Sequence, residues 1–508
     1  MSRFAAFVNA RLGTPGGFVP KASGVLVRDG RIERVLESTP TGLGADVEVI
    51  DCRGGALYPG FHDCHMHLTA TGLQSGEHDI TACPDVGAIL AKIKRIREPI
   101  VFAASYEDHR LAEGRPPLRK ELDAAAGDRP CLLSRIDGHS CVVNSAAAAL
   151  FGVAEKPGAE RDERGDLTGR LFEAANYAAQ NAMFAALPFD ALRRADGRAA
   201  EMALAAGITT VHNVIEGDPS LEHLQSVYRS DANQPVRVIS KSCTFSVAKA
   251  RALGGRVFGG DIFLDGSIGS RTAAVGEPYQ DDHKHGHGSL YVQPEQLSEL
   301  FDEAAESGLS LGVHAIGDRA IGEAIAAWET VTARRGPLRG LRPSIDHFEV
   351  ALPDQIERAA RCGLLLSMQP AFDYLWGGDH GMYARRFGAE RAAGMNLFAT
   401  ARRAGCIVCG GSDSPVTKLS ALLGIHSLVN HHIAGERLSI DDALRAYTAD
   451  AALLAYEENE RGTIAPGKAA DFAILAQALD EVPVSRIKDI PVTMTVIDGE
   501  VRFDAAKH

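Results

Sequence analysis

Short, nearly continuous apolar runs recur along the chain: IVFAAS (100–105), PCLLSRI (130–136), GITTVHNV (207–214), VRVIS (236–240), DIFLDG (261–266), LSLGVHAIG (309–317), PSIDHFE (343–349), LLLSMQP (364–370) and IVCGGSD (407–413). Runs of this length, rich in β-branched residues and bounded by turn formers, predict strands. Between many of them lie stretches with helical spacing, such as QLSELFDEAAESG (296–308), ALPDQIERAARCG (351–363) and LFATARRAG (397–405), each closing on a glycine. Glycine at that point suits the left-handed end of a helix. The alternation is a βα repeat, and strands without a polar face imply burial on both sides, so the predicted architecture is α/β: a parallel barrel with helices outside.

The two chain ends differ. ASGVLVRDGRIERVLE (22–37) and VTMTVIDGEVRF (492–503) each read as two strands around an Asp-Gly turn. We expect them to pair in one small β domain, residues 1–60 plus 460–508, with the barrel spanning 61–459.

A chain of 508 residues, 45% hydrophobic and 23% charged, can build one large core with a smaller companion. Its formal net charge of -13 argues against nucleic acid or an anionic membrane as partner, because both require clustered Lys and Arg. No run of about 18 apolar residues occurs and the first residues lack a signal-peptide core, which predicts a cytoplasmic protein. The nine cysteines are then reduced thiols, and CIVC (406–409) reads as strand packing rather than a zinc ribbon, which needs a second pair.

Candidate chemistry begins at FHDCHMH (61–67), where strand alternation turns Asp63, His65 and His67 to one face and His62, Cys64 and Met66 to the other. Two imidazoles so placed can close on one ion. Three later runs also end on metal-competent residues, His314, His347 and Asp413. Parallel barrels gather functional groups at the C-terminal ends of their strands, so these residues describe one pocket.

The ordered motifs PGFHDCHMH, RIDGHSCVVNS, GDLTGRLFEAA, LDGSIGSRTAA, VHAIGDRA, IDHFE, SMQPAF, GGSDSPV and GTIAPGKAADFAIL resemble those of the amidohydrolase superfamily, in particular its YtcJ-like branch, amidohydrolase family 3. The resemblance runs nearly end to end. It implies a (β/α)8 TIM barrel with a small β-sandwich formed by both chain ends, and a centre of two divalent ions, zinc above all, with manganese, iron or cobalt as alternatives. By the same resemblance His65 and His67 bind the first metal, His314 and His347 the second, and Asp413 binds metal and shuttles a proton. Many relatives bridge the ions with a carboxylated lysine. Here the matching position in GGDIFLDG is Asp261, so the bridge falls to Glu173, the first choice, or to Asp261 or Lys241.

Such a centre makes water a nucleophile near neutral pH, and Asp413 can pass its proton to a departing nitrogen. The expected reaction is hydrolysis of an amide, N-acyl or N-formyl bond in a small molecule. His139 could meet the substrate carbonyl, Arg271 a polar or anionic tail, and Trp376 an apolar substituent. A histidine-rich loop at His283, His285 and His287 reads as a loop, not a site. Two other readings stand beside this one. A mononuclear deaminase or cyclic-amide hydrolase of the same superfamily is disfavoured because Gly317 occupies the place of the usual Glu, and an inactive binding barrel is disfavoured by the intact ligand set. A homodimer is the common case for such a chain.

Overall fold

The computed structural model describes residues 3–507 apart from 15–16, 19–21, 38–46, 76–77, 216–219 and 282–285. The chain divides into two compact units: Met1–Met66, Ala200–Asp413 and Thr417–His508 form the first, and His67–Ala199 with Ser414–Val416 the second.

Eight strands of the first unit carry the candidate residues. They are β1 (Phe61–Met66), β2 (Ile208–Ile215), β3 (Arg237–Ser242), β4 (Val257–Phe263), β5 (Ser310–Ala315), β6 (Ser344–His347), β7 (Leu365–Met368) and β8 (Val408–Gly410). β2 pairs in parallel with β1 and β3, and β4 to β8 pair in parallel in chain order. In addition β3 lies beside β4, and β8 beside β1. Burial of nearly every residue in β1, β2 and β4 to β8 explains their unbroken apolar character.

Helices follow these strands for local reasons. Helix Pro294–Glu306 starts on proline, whose missing amide costs nothing in the first turn, and buries Leu297, Leu300, Phe301 and Ala304 as one stripe. Helix Pro353–Cys362 repeats the device, adds a Gln355 side chain that accepts the Leu352 amide at 2.9 Å, and stops on left-handed Gly363.

The N-terminal strands enter two sheets of the first unit, and the C-terminal strands join one of them. One contains Phe4–Val8, Gly24–Arg28, Arg31–Leu36 and Val47–Asp51; the other joins Arg11–Thr14, Gly17–Phe18 and Ala56–Pro59 to Phe472–Leu475, Val492–Ile497 and Glu500–Asp504. They share an apolar cluster in which Phe7 meets Phe472 edge-on at 5.4 Å.

The second unit has its own five-stranded sheet, in the order Ala159–Arg161, Leu167–Phe172, Ser140–Val143, Cys131–Arg135 and Val101–Tyr106. IVFAAS and PCLLSRI, read from the pattern as strands of the repeat, pair here with each other. The pattern cannot separate the two sheets, since a buried strand looks alike in either.

Candidate metal centre

His65 stands near the end of β1, Asp261 in β4, His314 in β5, His347 closes β6, and Asp413 follows β8 by three residues. The Asp413 amide donates to the His65 carbonyl at 2.7 Å, which ties the end of β8 to β1. That crossing needs Gly411: a Cβ there would lie 2.8 Å from the His65 nitrogen. His347 and Asp413 hold left-handed backbone, at φ +74° and +53°. Such conformations are costly for residues with a side chain and concentrate at functional sites.

These turns bring ligand atoms together. His65 Nε2 is 3.4 Å from Asp261 Oδ1 and 3.5 Å from Asp413 Oδ1, while His347 Nε2 is 3.7 Å from Asp261 Oδ1. One ligand atom from each of His65, Asp261 and His347 lies within 4.8 Å of the others. A tetrahedral ion with bonds of about 2.0–2.1 Å separates its ligands by about 3.3–3.4 Å, so the spacing fits a zinc-like ion. His314 packs against His347, ring centroids 4.5 Å apart, and also meets Phe263 edge-on at 4.8 Å.

Two carboxylates aim the imidazoles. Asp346 Oδ1 is 2.7 Å from His65 Nδ1, which leaves Nε2 turned toward Asp261. Asp265 Oδ1 lies 3.3 Å from His314 Nδ1, and the same carboxylate accepts the amides of Ala274, Ile316 and Gly317. Burial opposes charge on His65, yet Asp261 and Asp346 overcome it and hold the imidazole well above its ordinary range. His347 is raised likewise against burial, chiefly by its hydrogen bond with Asp261. The pocket therefore favours positive charge, as a cation site must.

Asp346 and Asp265 are the functional residues that the sequence reading missed. Asp265 sits in the quoted LDGS motif, but its role is visible only once β4 and β5 are side by side. Asp346 precedes a ligand, where strand alternation would face it away; the left-handed His347 ends that alternation.

The remaining candidates divide between the units. Lys241 is buried in the first, donating to the Cys64 carbonyl at 3.2 Å. Arg271, at φ +59°, makes a two-pronged pair with Asp281 at 3.0 and 2.9 Å, and Arg386 shares that carboxylate. Trp376 packs on Phe372 at 4.7 Å, and Phe372 in turn lies parallel to His347. His212 is fully buried beside His62, with ring centroids 6.1 Å apart, and burial holds it well below its usual range.

His67, His139 and Glu173 belong to the second unit. The His67 amide donates to the Ser414 carbonyl at 2.8 Å. His139 Nδ1 is 2.6 Å from the Tyr177 hydroxyl. Glu173 begins helix Glu173–Ala186, exposed and at φ +44°. His283 and His285 lie outside the described residues.

Residues 48–503 match the model of the amidohydrolase family. The chain is 29% identical to the YtcJ protein of Bacillus subtilis strain 168, over 95% of this chain and 94% of that protein. It is 27% identical to N-substituted formamide deformylase of Arthrobacter pascens, over 98% of each. An uncharacterized metal-dependent hydrolase from Pyrococcus furiosus superposes with a TM-score of 0.75 at 26% identity, covering 94% of this chain and 99% of that one. The fold is accordingly α/β and TIM-barrel-like.

Proposed function

We propose, from the premise that this chain belongs to the amidohydrolase family and is a metal-dependent hydrolase of carbon-nitrogen bonds, that the bond cleaved is an amide, N-acyl or N-formyl group of a small molecule. The observation that carries this reading is the spacing of three donor atoms, one each from His65, Asp261 and His347, all within 4.8 Å of one another, with Asp413 Oδ1 3.5 Å from His65 Nε2. In this reading Asp261 takes the place of the lysine that relatives carboxylate, and His65, Asp261 and His347 would hold a divalent ion with a position left open for water beside Asp413. Glu173, exposed at the start of its helix, is outside the ligand set in this reading.

A divalent ion held by these residues would polarise a carbonyl and lower the pKa of water to about 7. Asp413 receives the proton of the attacking water and hands it to the leaving nitrogen. His65 and His347 would offer the ion their Nε2 atoms, and Asp346, on His65 Nδ1 at 2.7 Å, keeps that ring from rotating. Trp376 and Phe372 line the approach to His347 with apolar surface, and His139 with Tyr177 offers a hydrogen-bonding pair for a substrate carbonyl. Name and coverage of the deformylase relative support N-formyl amines as the first compounds to try.

We further propose that β1 to β8 close as a (β/α)8 barrel and that the two end-built sheets form a β-sandwich of residues 1–60 and 460–508. Adjacency of β3 with β4 and of β8 with β1 supports closure.

The test is turnover of a panel of N-formyl and N-acyl amines by the zinc-, manganese- and cobalt-loaded protein. Release of amine from at least one, abolished by a chelator and restored by metal, is the expected result. Cleavage of cyclic amidines or exocyclic amines alone would replace this reading with a deaminase-like one.

A further inference from the structure

Helix Pro370–Trp376, which follows β7, is held by a polar node that the metal centre does not use. It is seven residues long and starts on proline. A helix that short does not keep its shape unaided. Its Phe372 ring lies parallel to that of His347, 6.1 Å between centroids, and Trp376 packs on Phe372 at 4.7 Å. Between these aromatics comes Asp373, 6% exposed, with its carboxylate turned to the loop after helix Ala421–Val429. Asp373 Oδ2 is 3.0 Å from His432 Nδ1 and accepts the His432 amide at 3.2 Å. Asp373 Oδ1 stands 3.3 Å from His431 Nε2.

Both histidines are fixed in place. His431, 1% exposed, accepts the Ile433 amide on Nδ1 at 3.0 Å, so its neutral ring carries the proton on Nε2, toward Asp373. Phe398 meets that ring edge-on at 5.6 Å. His432 reaches Asp373 through space that glycine leaves open. A Cβ on Gly377 would stand 2.9 Å from His432 Nδ1 and 2.5 Å from Asp373 Oδ1, and one on Gly378, at φ +79°, 2.8 Å from His432 Cδ2. A carboxylate only accepts, so His432 Nδ1 donates.

We propose that Asp373, His431 and His432 form a latch that positions Phe372 and Trp376 beside His347, and that the surface so held takes an apolar substituent of the substrate. This rests on the amide reading and deepens it by naming the part of the substrate that is selected. Phe372 is buried against His347, whereas Trp376 is partly exposed and keeps surface for a ligand. None of the three latch residues belongs to the ligand set, so the latch acts on recognition and not on the bond broken.

The experiment uses the full chain and two readouts. Trp328 and Trp376 are its two tryptophans, so Trp328→Phe leaves Trp376 as the single indole emitter, and acrylamide quenching reports the order of the helix without reference to turnover. In that background His432→Ala, at a partly exposed position, should raise the quenching constant. His432→Asn, whose amide nitrogen stands where Nδ1 does, should restore it. The second readout is steady-state kinetics of the zinc-loaded protein on N-hexylformamide and N-methylformamide. His432→Ala should raise KM for the hexyl compound by about tenfold, the discrimination that one methylene group supplies in an apolar pocket, and leave kcat and the methyl compound unchanged. Quenching that stays at the wild-type value in both His432→Ala and Asp373→Ala would overturn the latch. So would a loss in His432→Asn equal to that in His432→Ala, or a KM that rises equally for both formamides. Wild-type protein that cleaves neither formamide would remove the amide reading and the substrate role with it, while quenching would still decide the latch.

Discussion

His65 and Glu173 both sit where a strand gives way to something else, and the family resemblance makes both of them ligands, yet their surroundings are opposite. His65 is fully buried, its ring held on one nitrogen by Asp346 and faced on the other by Asp261 and Asp413. Glu173 is exposed at the start of a helix, on left-handed backbone. A ligand must be preorganised, because side-chain entropy lost on binding subtracts from metal affinity. The parallel strands supply that order to His65. Glu173 has no such burial to order its carboxylate, which is why the proposed ligand set uses Asp261 in its place.

The largest effect expected from this contrast is at Asp413, to which the proposed reading gives the proton transfer beside His65. Asp413→Asn should lower kcat by about 10³-fold, within the range of acid-base catalysis, in a steady-state assay on whichever amide is turned over. A tenfold loss or less would take the shuttle away from Asp413.

A second effect concerns burial in β1 itself. His62 is pushed down to about 3 because burial opposes its charge and Arg461 repels it, with Asp471 opposing. An unfolded chain takes up that proton below about 6.5, while the fold refuses it until about 3. Stability should therefore fall as pH drops from 6.5 toward 3, by up to about 1.4 kcal/mol per pH unit. Urea denaturation at pH 7 and pH 5 should show a smaller difference for His62→Phe than for the wild type. An unchanged difference would mean that His62 already finds a proton in the fold.

Glu173 sharpens the comparison from the other side. Its backbone conformation is one that glycine adopts without strain, so Glu173→Gly should raise stability by about 1 kcal/mol in thermal denaturation, with metal content unchanged. A drop in stability would show that the carboxylate itself holds the helix start. Smallest is Arg271→Lys, which keeps the charge and loses the fork onto Asp281. The pair is about one quarter exposed, so a stability loss below about 1 kcal/mol is expected. A loss of several kcal/mol would assign that loop a structural weight the pair does not explain.

Much of the fold was legible because its signals are local. Apolar runs and glycine-ended helices reported β2 to β8, and Asp-Gly turns reported the end-built sheets. The second unit was not legible, since Val101–Tyr106 and Cys131–Arg135 are as apolar as the parallel strands of the first unit. At the centre, His65, His314, His347 and Asp413 could be found by reading what ends each strand. Asp261 stood out as a departure from a family pattern, while its contact with both His65 and His347 depends on glycines 259 and 260, both at positive φ, which shift the register of β4 against β5. Alternation assumes a regular strand. Where backbone strain aims a side chain, as at His347, the pattern along the chain no longer tells which residue faces the ion.

The most direct measurement is metal stoichiometry by elemental analysis of wild type, Asp261→Asn and Glu173→Ala, purified in parallel after loading with zinc. The account predicts bound metal in the wild type, the same in Glu173→Ala, and a loss in Asp261→Asn. Metal retained in Asp261→Asn and lost in Glu173→Ala would contradict it.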